Sequence, residues 1–144
     1  MNYELKYSTK RRDPRGFLVD FLKADELKGD DKKFGQIYFI TFEKPGAIRG
    51  NHYHKTKKEW FVVGQGKLMI ILEDIKTKER ESIILDGDDD KYVRLSVGEN
   101  IAHALINLTP FAYAVNYCNK PYHDDNPDSI FYELVKDIKN GSKK

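Results

Sequence analysis

Hydrophobic and polar residues alternate in short runs along most of the chain, which is the pattern of β-strands rather than of helices. Turn-forming residues separate several of these runs. They are Pro14 and Gly16, Pro45 and Gly46, and the acidic loop 86–90. Short strands at this spacing predict an all-β sandwich or barrel. The candidate strands are residues 3–7, 17–21, 35–43, 59–63, 67–72, 80–85, 92–97, 104–107 and 113–117.

The last segment of the chain has a different period. Asn126 is a candidate N-cap, Pro127 suits the first helical position, and Ile130, Leu134 and Ile138 recur every four residues. We therefore expect a short C-terminal helix, with a last strand over residues 129–134 as the alternative. No internal repeat or linker interrupts the sequence, so residues 1–144 are predicted to form a single domain.

Composition narrows the function classes. The chain is 40% hydrophobic and contains 8 Phe and 9 Tyr, which is enough to build a core, and its net charge of +2 gives no reason to expect nucleic acid as a partner. A single cysteine, Cys118, excludes an internal disulfide framework. The sequence shows no apolar export segment and no run long enough to span a bilayer, so we expect a cytoplasmic protein without a membrane partner.

The candidate chemistry lies in the histidines. His52 and His54 are two residues apart, so on a strand both imidazoles project from the same face. The lysine-rich run 55–58 suits a tight connection, after which Glu59 opens a returning strand and brings a carboxylate to the same place. His103 comes later and is the third histidine of this candidate site.

This spacing resembles the cupin superfamily. Every fixed position of the first cupin signature is filled: Gly46, His52, His54, Glu59 and Gly66. The His and Asn of the second signature correspond to His103 and Asn107, whereas its Pro and Gly are absent. The resemblance implies a double-stranded β-helix, the cupin jelly-roll barrel, with the three histidines converging inside its mouth.

A finer resemblance covers about residues 13–135. The stretches Asp-Pro-Arg-Gly-Phe at 13–17 and Arg-Gly-Asn-His-Tyr at 49–53 are similar to those of the dTDP-4-dehydrorhamnose 3,5-epimerases. The chain also resembles the sugar 3,4-ketoisomerases and the C-terminal cupin domain of the capsular-polysaccharide reductase/epimerase. These resemblances imply a nucleotide-sugar epimerase or ketoisomerase that acts on a dTDP- or UDP-linked 4-keto-6-deoxyhexose, in bacterial-type surface polysaccharide biosynthesis.

The resemblance also implies roles for individual residues. His52 would remove the proton beside the ketone, with His54 as a further catalytic residue. Tyr113 would return a proton from the other face, and Tyr117 is the rival for that role. The substrate-binding residues would be Arg15, Arg49, His103 and Tyr117, and Arg15 would be lent to the neighbouring site of a homodimer.

The residue types suit this chemistry. Histidine titrates near neutrality and can both take and give a proton. The enolate that forms needs positive charge or hydrogen-bond donors, which Arg49, His54 or a metal ion could supply. The planar guanidinium groups of Arg15 and Arg49 match the oxygens of a diphosphate.

The cofactor is left open by the sequence. The resembling ketoisomerases work without metal, whereas the reductase/epimerase domain binds zinc, so the site would hold either no cofactor or one divalent ion, with zinc the best match. The candidate ligands are His52, His54, Glu59 and His103. A metal-bound His52 could not act as a free base at the same time. The alternatives are a metal-dependent cupin dioxygenase and a non-catalytic sugar-binding cupin, and neither explains the two arginines as well as a sugar-nucleotide enzyme does.

Overall fold

The computed structural model describes residues 1–136, which form twelve β-strands and two short 3₁₀ turns, at Ala24–Glu26 and Gly29–Lys32. The strands are β1 (Tyr3–Thr9), β2 (Arg11–Asp13), β3 (Gly16–Leu18), β4 (Gln36–Phe42), β5 (Ile48–Tyr53), β6 (Glu59–Gln65), β7 (Lys67–Asp74), β8 (Arg80–Asp86), β9 (Lys91–Val97), β10 (Ile101–Asn107), β11 (Ala112–Cys118) and β12 (Ile130–Phe131).

Two five-stranded sheets build the fold, one in the order β1-β9-β6-β11-β4 and the other in the order β12-β5-β10-β7-β8. All pairings within them are antiparallel, and strands far apart in sequence lie side by side, as in a jelly roll. The all-β jelly-roll prediction is therefore confirmed. One apolar core, to which strands of both sheets contribute, consists of Phe42, Phe61, Val63, Leu68, Ile70, Leu72, Leu85, Leu95, Val97, Ile101, Leu105, Ala112 and Ala114.

The predicted strand over residues 17–21 is shorter than expected. Only Gly16–Leu18 is a strand, and it pairs with Arg11–Asp13 in a two-stranded hairpin outside the two main sheets. The chain after Leu18 leaves this hairpin and leads to Leu27. Leu27 packs with Trp60 and Tyr117 in a second small apolar cluster on the outer side of the first sheet.

The C-terminal helix was a wrong prediction for the part of it that the structure describes. Residues 126–136 contain no helix, and β12 instead pairs antiparallel with β5. Asn51 holds the chain beyond it, because its side-chain oxygen accepts from the backbone N–H groups of Leu134 and Val135 at 3.0 and 3.1 Å. These tertiary bonds override the local helix signals, and of the alternative strand over residues 129–134 only Ile130–Phe131 forms. Ile138 lies outside the described residues.

Within residues 1–136, no helix is long and apolar enough to cross a membrane. Cys118 is a free, buried cysteine at the end of β11.

Candidate active site

A β-bulge in β5 gives the site its shape. His52 pairs with His103, whereas Gly50 pairs with Ala104, so β5 carries one extra residue, Asn51, between these two pairs. The bulge places Arg49 and His52 on the same face of the strand. In a regular strand, two residues three positions apart lie on opposite faces. Gly50 is required here because its φ is +91° and a Cβ would lie 2.6 Å from the carbonyl oxygen of His103.

Glu59 is the buried centre of the histidine cluster. Its Oε1 atom lies 2.8 Å from Nε2 of His54 and 3.2 Å from Nε2 of His103. Oε1 of Glu59 and Nε2 of His54 have no other hydrogen-bond partner in the described part of the chain. Buried polar atoms that lack partners are costly, so this arrangement calls for a proton or a cation between them.

Two of the three histidines have their other ring nitrogen tied to a carbonyl. Nδ1 of His54 bonds the backbone oxygen of Asp128, and Nδ1 of His103 lies 3.2 Å from the oxygen of Ile101. A carbonyl only accepts, so each Nδ1 carries the proton. In the neutral rings, both Nε2 lone pairs therefore point towards Glu59.

His52 differs from its two neighbours. Its ring centroid lies 4.9 Å from that of His54 and 4.8 Å from that of His103. Among the described residues, neither of its ring nitrogens has a hydrogen-bond partner. Burial, and then the neighbouring imidazoles of His103 and His54, lower the pKa of His52 to about 3. The ring is therefore neutral near pH 7 and its lone pair is available.

The electrostatics of the cluster are dominated by Glu59. Burial opposes its charge, but the imidazoles of His103 and His54, when they carry a proton towards Oε1, outweigh burial and hold the pKa of Glu59 well below the usual value. Burial likewise opposes a charge on His54, but the Glu59 carboxylate and the Asp128 carbonyl raise the pKa of His54 above its usual value. The cluster thus keeps a carboxylate ionised inside the protein.

A set of polar residues behind Glu59 holds its second oxygen. Oε2 accepts a bond of 2.6 Å from the Asn116 amide and one of 3.2 Å from the Tyr38 hydroxyl. Burial and the nearby Glu59 charge raise the pKa of Cys118 to about 12, and they also raise that of Tyr38, so both groups stay protonated. This set fixes the Glu59 carboxylate so that Oε1 faces the histidines.

An open cavity of about 360 Å³ adjoins the cluster. His52, Glu59 and His103 line one part of it, and Tyr38 and Arg49 line another. Arg49 is exposed, and its Nε donates to the backbone oxygen of Thr41 at 3.2 Å, which leaves the terminal guanidinium nitrogens available to a ligand. The cavity can therefore present one imidazole and one guanidinium to the same molecule.

The structure moves the predicted tyrosines out of the site. Tyr113 lies on the outer side of the first sheet, where its ring covers Gly64 so closely that a Cβ there would lie 2.2 Å from it. Tyr117 packs on Trp60 on that same outer side, and its hydroxyl donates to the carbonyl of Lys33. Neither residue lines the cavity, and Tyr38 does.

Arg15 also lies away from the cavity of its own chain. It sits at the tip of the β2–β3 hairpin with 90% of its side chain exposed, and it pairs with Asp13 at 2.7 Å. Of the predicted substrate-binding residues, the structure thus brings Arg49 and His103 together and leaves Arg15 and Tyr117 elsewhere.

The four candidate metal ligands do converge. The ligand atoms of His52, His54, Glu59 and His103 all lie within 4.8 Å of one another. Two Nε2 lone pairs and one carboxylate oxygen, all buried, fit the donor set that zinc takes in catalytic sites. The carbonyl bonds at Nδ1 of His54 and His103 are the outer contacts that ligating histidines usually make.

Comparisons with known proteins agree with the fold. The sequence model of the family described as polysaccharide biosynthesis C-terminal domain matches residues 11–130. A curated relative, the UDP-2-acetamido-2,6-beta-L-arabino-hexul-4-ose reductase of Pseudomonas aeruginosa, is 30% identical over 118 residues, which is 81% of this chain and 29% of the relative.

Two solved structures show the same fold. The capsular polysaccharide assembling protein CapF of Staphylococcus aureus is 27% identical, with a TM-score of 0.66 over 71% of this chain and 27% of that chain. A 3,4-ketoisomerase of Helicobacter canadensis is 24% identical, with a TM-score of 0.73 over 90% of both chains. The chain therefore spans less than a third of the curated relative and of CapF, and nearly the whole of the ketoisomerase.

Proposed function

Because the chain belongs to the polysaccharide biosynthesis C-terminal domain family, we propose that it is an isomerase of nucleotide-linked 4-keto-6-deoxyhexoses. The observation that carries this proposal is His52, a neutral imidazole on the wall of a cavity that Arg49 also lines, whose ring nitrogens have no hydrogen-bond partner within residues 1–136. Such a residue can accept the acidic proton at C3, beside the C4 ketone. The guanidinium of Arg49 suits the diphosphate of the carrier.

The proposal separates base and ligands within the cluster. His54, Glu59 and His103 form a set that would hold one divalent ion, with zinc the best match. Their lone pairs converge, and Nδ1 of each of the two histidines is bonded to a backbone carbonyl. When bound, that ion would supply positive charge for the enolate oxygen. In the part of the chain that the structure describes, His52 has no outer contact of this kind, and the proposal leaves its lone pair for the substrate proton.

C3 epimerisation is the version of the reaction that we favour, and 3,4-ketoisomerisation is the second candidate. Both begin by removing the C3 proton, and they differ in the carbon that is then protonated. Incubation with a dTDP- or UDP-linked 4-keto-6-deoxyhexose in deuterated water distinguishes them. Deuterium at C3 of an inverted product supports epimerisation, deuterium at C4 supports ketoisomerisation, and the absence of both product and incorporation would exclude both.

We propose Tyr38 in place of Tyr113 as the residue that returns the proton. Its side chain lines the cavity, and its hydroxyl carries the proton that it donates to Oε2 of Glu59 at 3.2 Å. Tyr38→Phe is expected to slow formation of the inverted product about 100-fold while deuterium exchange at C3 falls much less. The matched control is Tyr113→Phe, on the outer side of the sheet, and it should leave both rates unchanged. Equal losses of exchange and inversion in Tyr38→Phe would contradict this role.

We also propose a homodimer that completes the site. Phe39 is 72% exposed on the edge strand β4, and Leu18 is 60% exposed on the hairpin that carries Arg15. Burying these apolar groups against a second copy would place Arg15 beside the neighbouring cavity, where a second guanidinium would bind the diphosphate. The active protein is thus expected to sediment as a dimer.

Removing Arg15 tests this arrangement by kinetics. A hydrogen bond to a charged group contributes roughly 1.5–3 kcal/mol, so Arg15→Ala is expected to raise KM for the nucleotide sugar by about tenfold or more with kcat little changed. Arg11→Ala, on the same hairpin and paired with Asp20 at 3.7 Å, is the matched control. A monomer with full activity, or an Arg15→Ala enzyme with unchanged KM, would argue against the shared site.

A further inference from the structure

The loop before β12 contacts the His54 segment through both its main chain and a side chain. The carbonyl of Asp128 accepts from the His54 ring, and Oδ1 of its carboxylate accepts from the backbone N–H of Lys55 at 2.8 Å. Oδ2 accepts from the N–H and the hydroxyl of Thr56, at 3.0 and 2.8 Å. One residue thus binds three consecutive residues that lie more than 70 positions earlier in the chain.

The backbone of Asp128 has an uncommon conformation that this double contact requires. Its φ is +46°, in the left-handed region where Asp is one of the better tolerated residues apart from Gly. In this conformation the carbonyl faces the imidazole of His54 while the carboxylate reaches past it to the backbone of Lys55 and Thr56. A strained backbone held by several bonds commonly marks a site whose geometry has a function.

The carbonyl contact decides which nitrogen of His54 faces Glu59. Since Nδ1 must donate to Asp128, the neutral ring keeps its lone pair on Nε2, the atom 2.8 Å from Oε1 of Glu59. His103 obtains the same tautomer from Ile101 on its own strand. Of these two histidines, His54 is the one whose tautomer depends on a distant segment.

We propose that Asp128 is the positioning residue that fixes the tautomer and orientation of His54, so that Nε2 of this ring is the atom offered to a cation beside Glu59. The carboxylate holds the loop, and the loop carbonyl holds the ring. The identity of the cation rests on the proposed function, whereas the choice of tautomer does not.

The test uses a substitution that keeps the carbonyl and accepts the left-handed backbone. Asp128→Gly removes the side chain with its carboxylate, and loss of an outer contact to a ligating histidine typically costs roughly 10–100-fold in metal affinity. Zinc affinity, measured by competition with a chelating dye, is therefore expected to fall by that factor. Thr56→Val removes one of the three donors to the carboxylate and should give a smaller loss. The matched control is Asp125→Gly, an exposed aspartate in the same loop, with affinity unchanged.

A second measurement reads the tautomer directly. Nitrogen-15 NMR of the metal-free protein, at a pH where the ring is neutral, is expected to show His54 protonated at Nδ1 in the parent and in Asp125→Gly. In Asp128→Gly and, to a smaller extent, in Thr56→Val, a fraction protonated at Nε2 should appear. Thermal melts show whether each variant is folded, and Thr56→Val provides the answer where Asp128→Gly does not fold.

The outcomes separate this inference from the proposed function. Both measurements are made without sugar substrate, so failure of the isomerase assay leaves them unaffected. If zinc does not bind to the parent, the tautomer alone decides. Folded Asp128→Gly and Thr56→Val proteins in which His54 stays protonated at Nδ1 would overturn the role of Asp128, even if the parent exchanges deuterium at C3.

Discussion

Replacing His52 by Asn is expected to abolish deuterium incorporation at C3 of the 4-keto sugar, with a loss of roughly 10²–10⁴-fold, while the fold remains intact. His52 is the cavity-lining imidazole whose ring nitrogens have no hydrogen-bond partner among the described residues. Asn has a similar size and polarity but cannot take a proton near neutral pH. The expected loss is therefore in proton transfer and not in packing.

The control for this prediction is the fold of the variant and its affinity for the carrier. The side chain of His52 is not part of the apolar core, so circular dichroism and the melting temperature should stay close to those of the parent. Binding of the nucleoside diphosphate, which the proposal assigns to Arg49 and Arg15, should also persist. A folded His52→Asn protein that exchanges deuterium at the parent rate would show that another residue is the base.

The approach of His52 and His54 to each other could be predicted from the sequence because it depends on local geometry. Glu59 was expected to open a strand beside theirs, but β6 lies in the opposite sheet from β5, so its approach to the histidines depends on the packing of the two sheets. His103 required the cupin resemblance, since nothing local places β10 beside β5. The four residues do lie together, as that resemblance implied.

Which side chains of a strand point into the core was harder to predict than the position of the strand. In β4 both faces carry apolar residues, and alternation alone does not show that Tyr38 points inward and Phe39 outward. In β11 the aromatic residues resemble the core face, but Ala112 and Ala114 occupy the core. The inner positions are small because side chains from the opposite sheet fill the space. Tyr113 and Tyr117 therefore lie on the outer side of the sheet, away from the cavity.

Two further features depend on contacts that no local pattern shows. The bulge at Asn51, which brings Arg49 to the face of His52, appears only in the register with β10. The segment after Asn126 has local helix signals, yet it forms β12 because β5 offers a free edge and Asn51 binds the chain beyond it. In both cases a tertiary partner decides the conformation.

Replacing Glu59 by Gln is expected to remove the metal from the protein, together with its activity. The parent, purified without added metal, is expected to contain close to one divalent ion per chain, as in catalytic zinc sites with three protein ligands. Glu59 is 2% exposed and is the acid that lies between His54 and His103. Gln keeps the shape and the contacts to Asn116 and Tyr38 but lacks the charge. Its metal affinity should fall by more than the roughly 10–100-fold typical of outer contacts.

The two variants together test the separation of base and ligands. His54, Glu59 and His103 suffice as ligands on the proposed arrangement, so His52→Asn should keep its metal and lose exchange, whereas Glu59→Gln should lose both. Elemental analysis and the C3 exchange assay are run on both variants and on chelated parent, which gives six results. Loss of the ion from His52→Asn would make His52 a ligand and move the base elsewhere. A parent that is metal-free at full activity would remove the ligand role from all four residues and leave His52 as the base, because its free ring nitrogens and its place on the cavity wall do not depend on an ion.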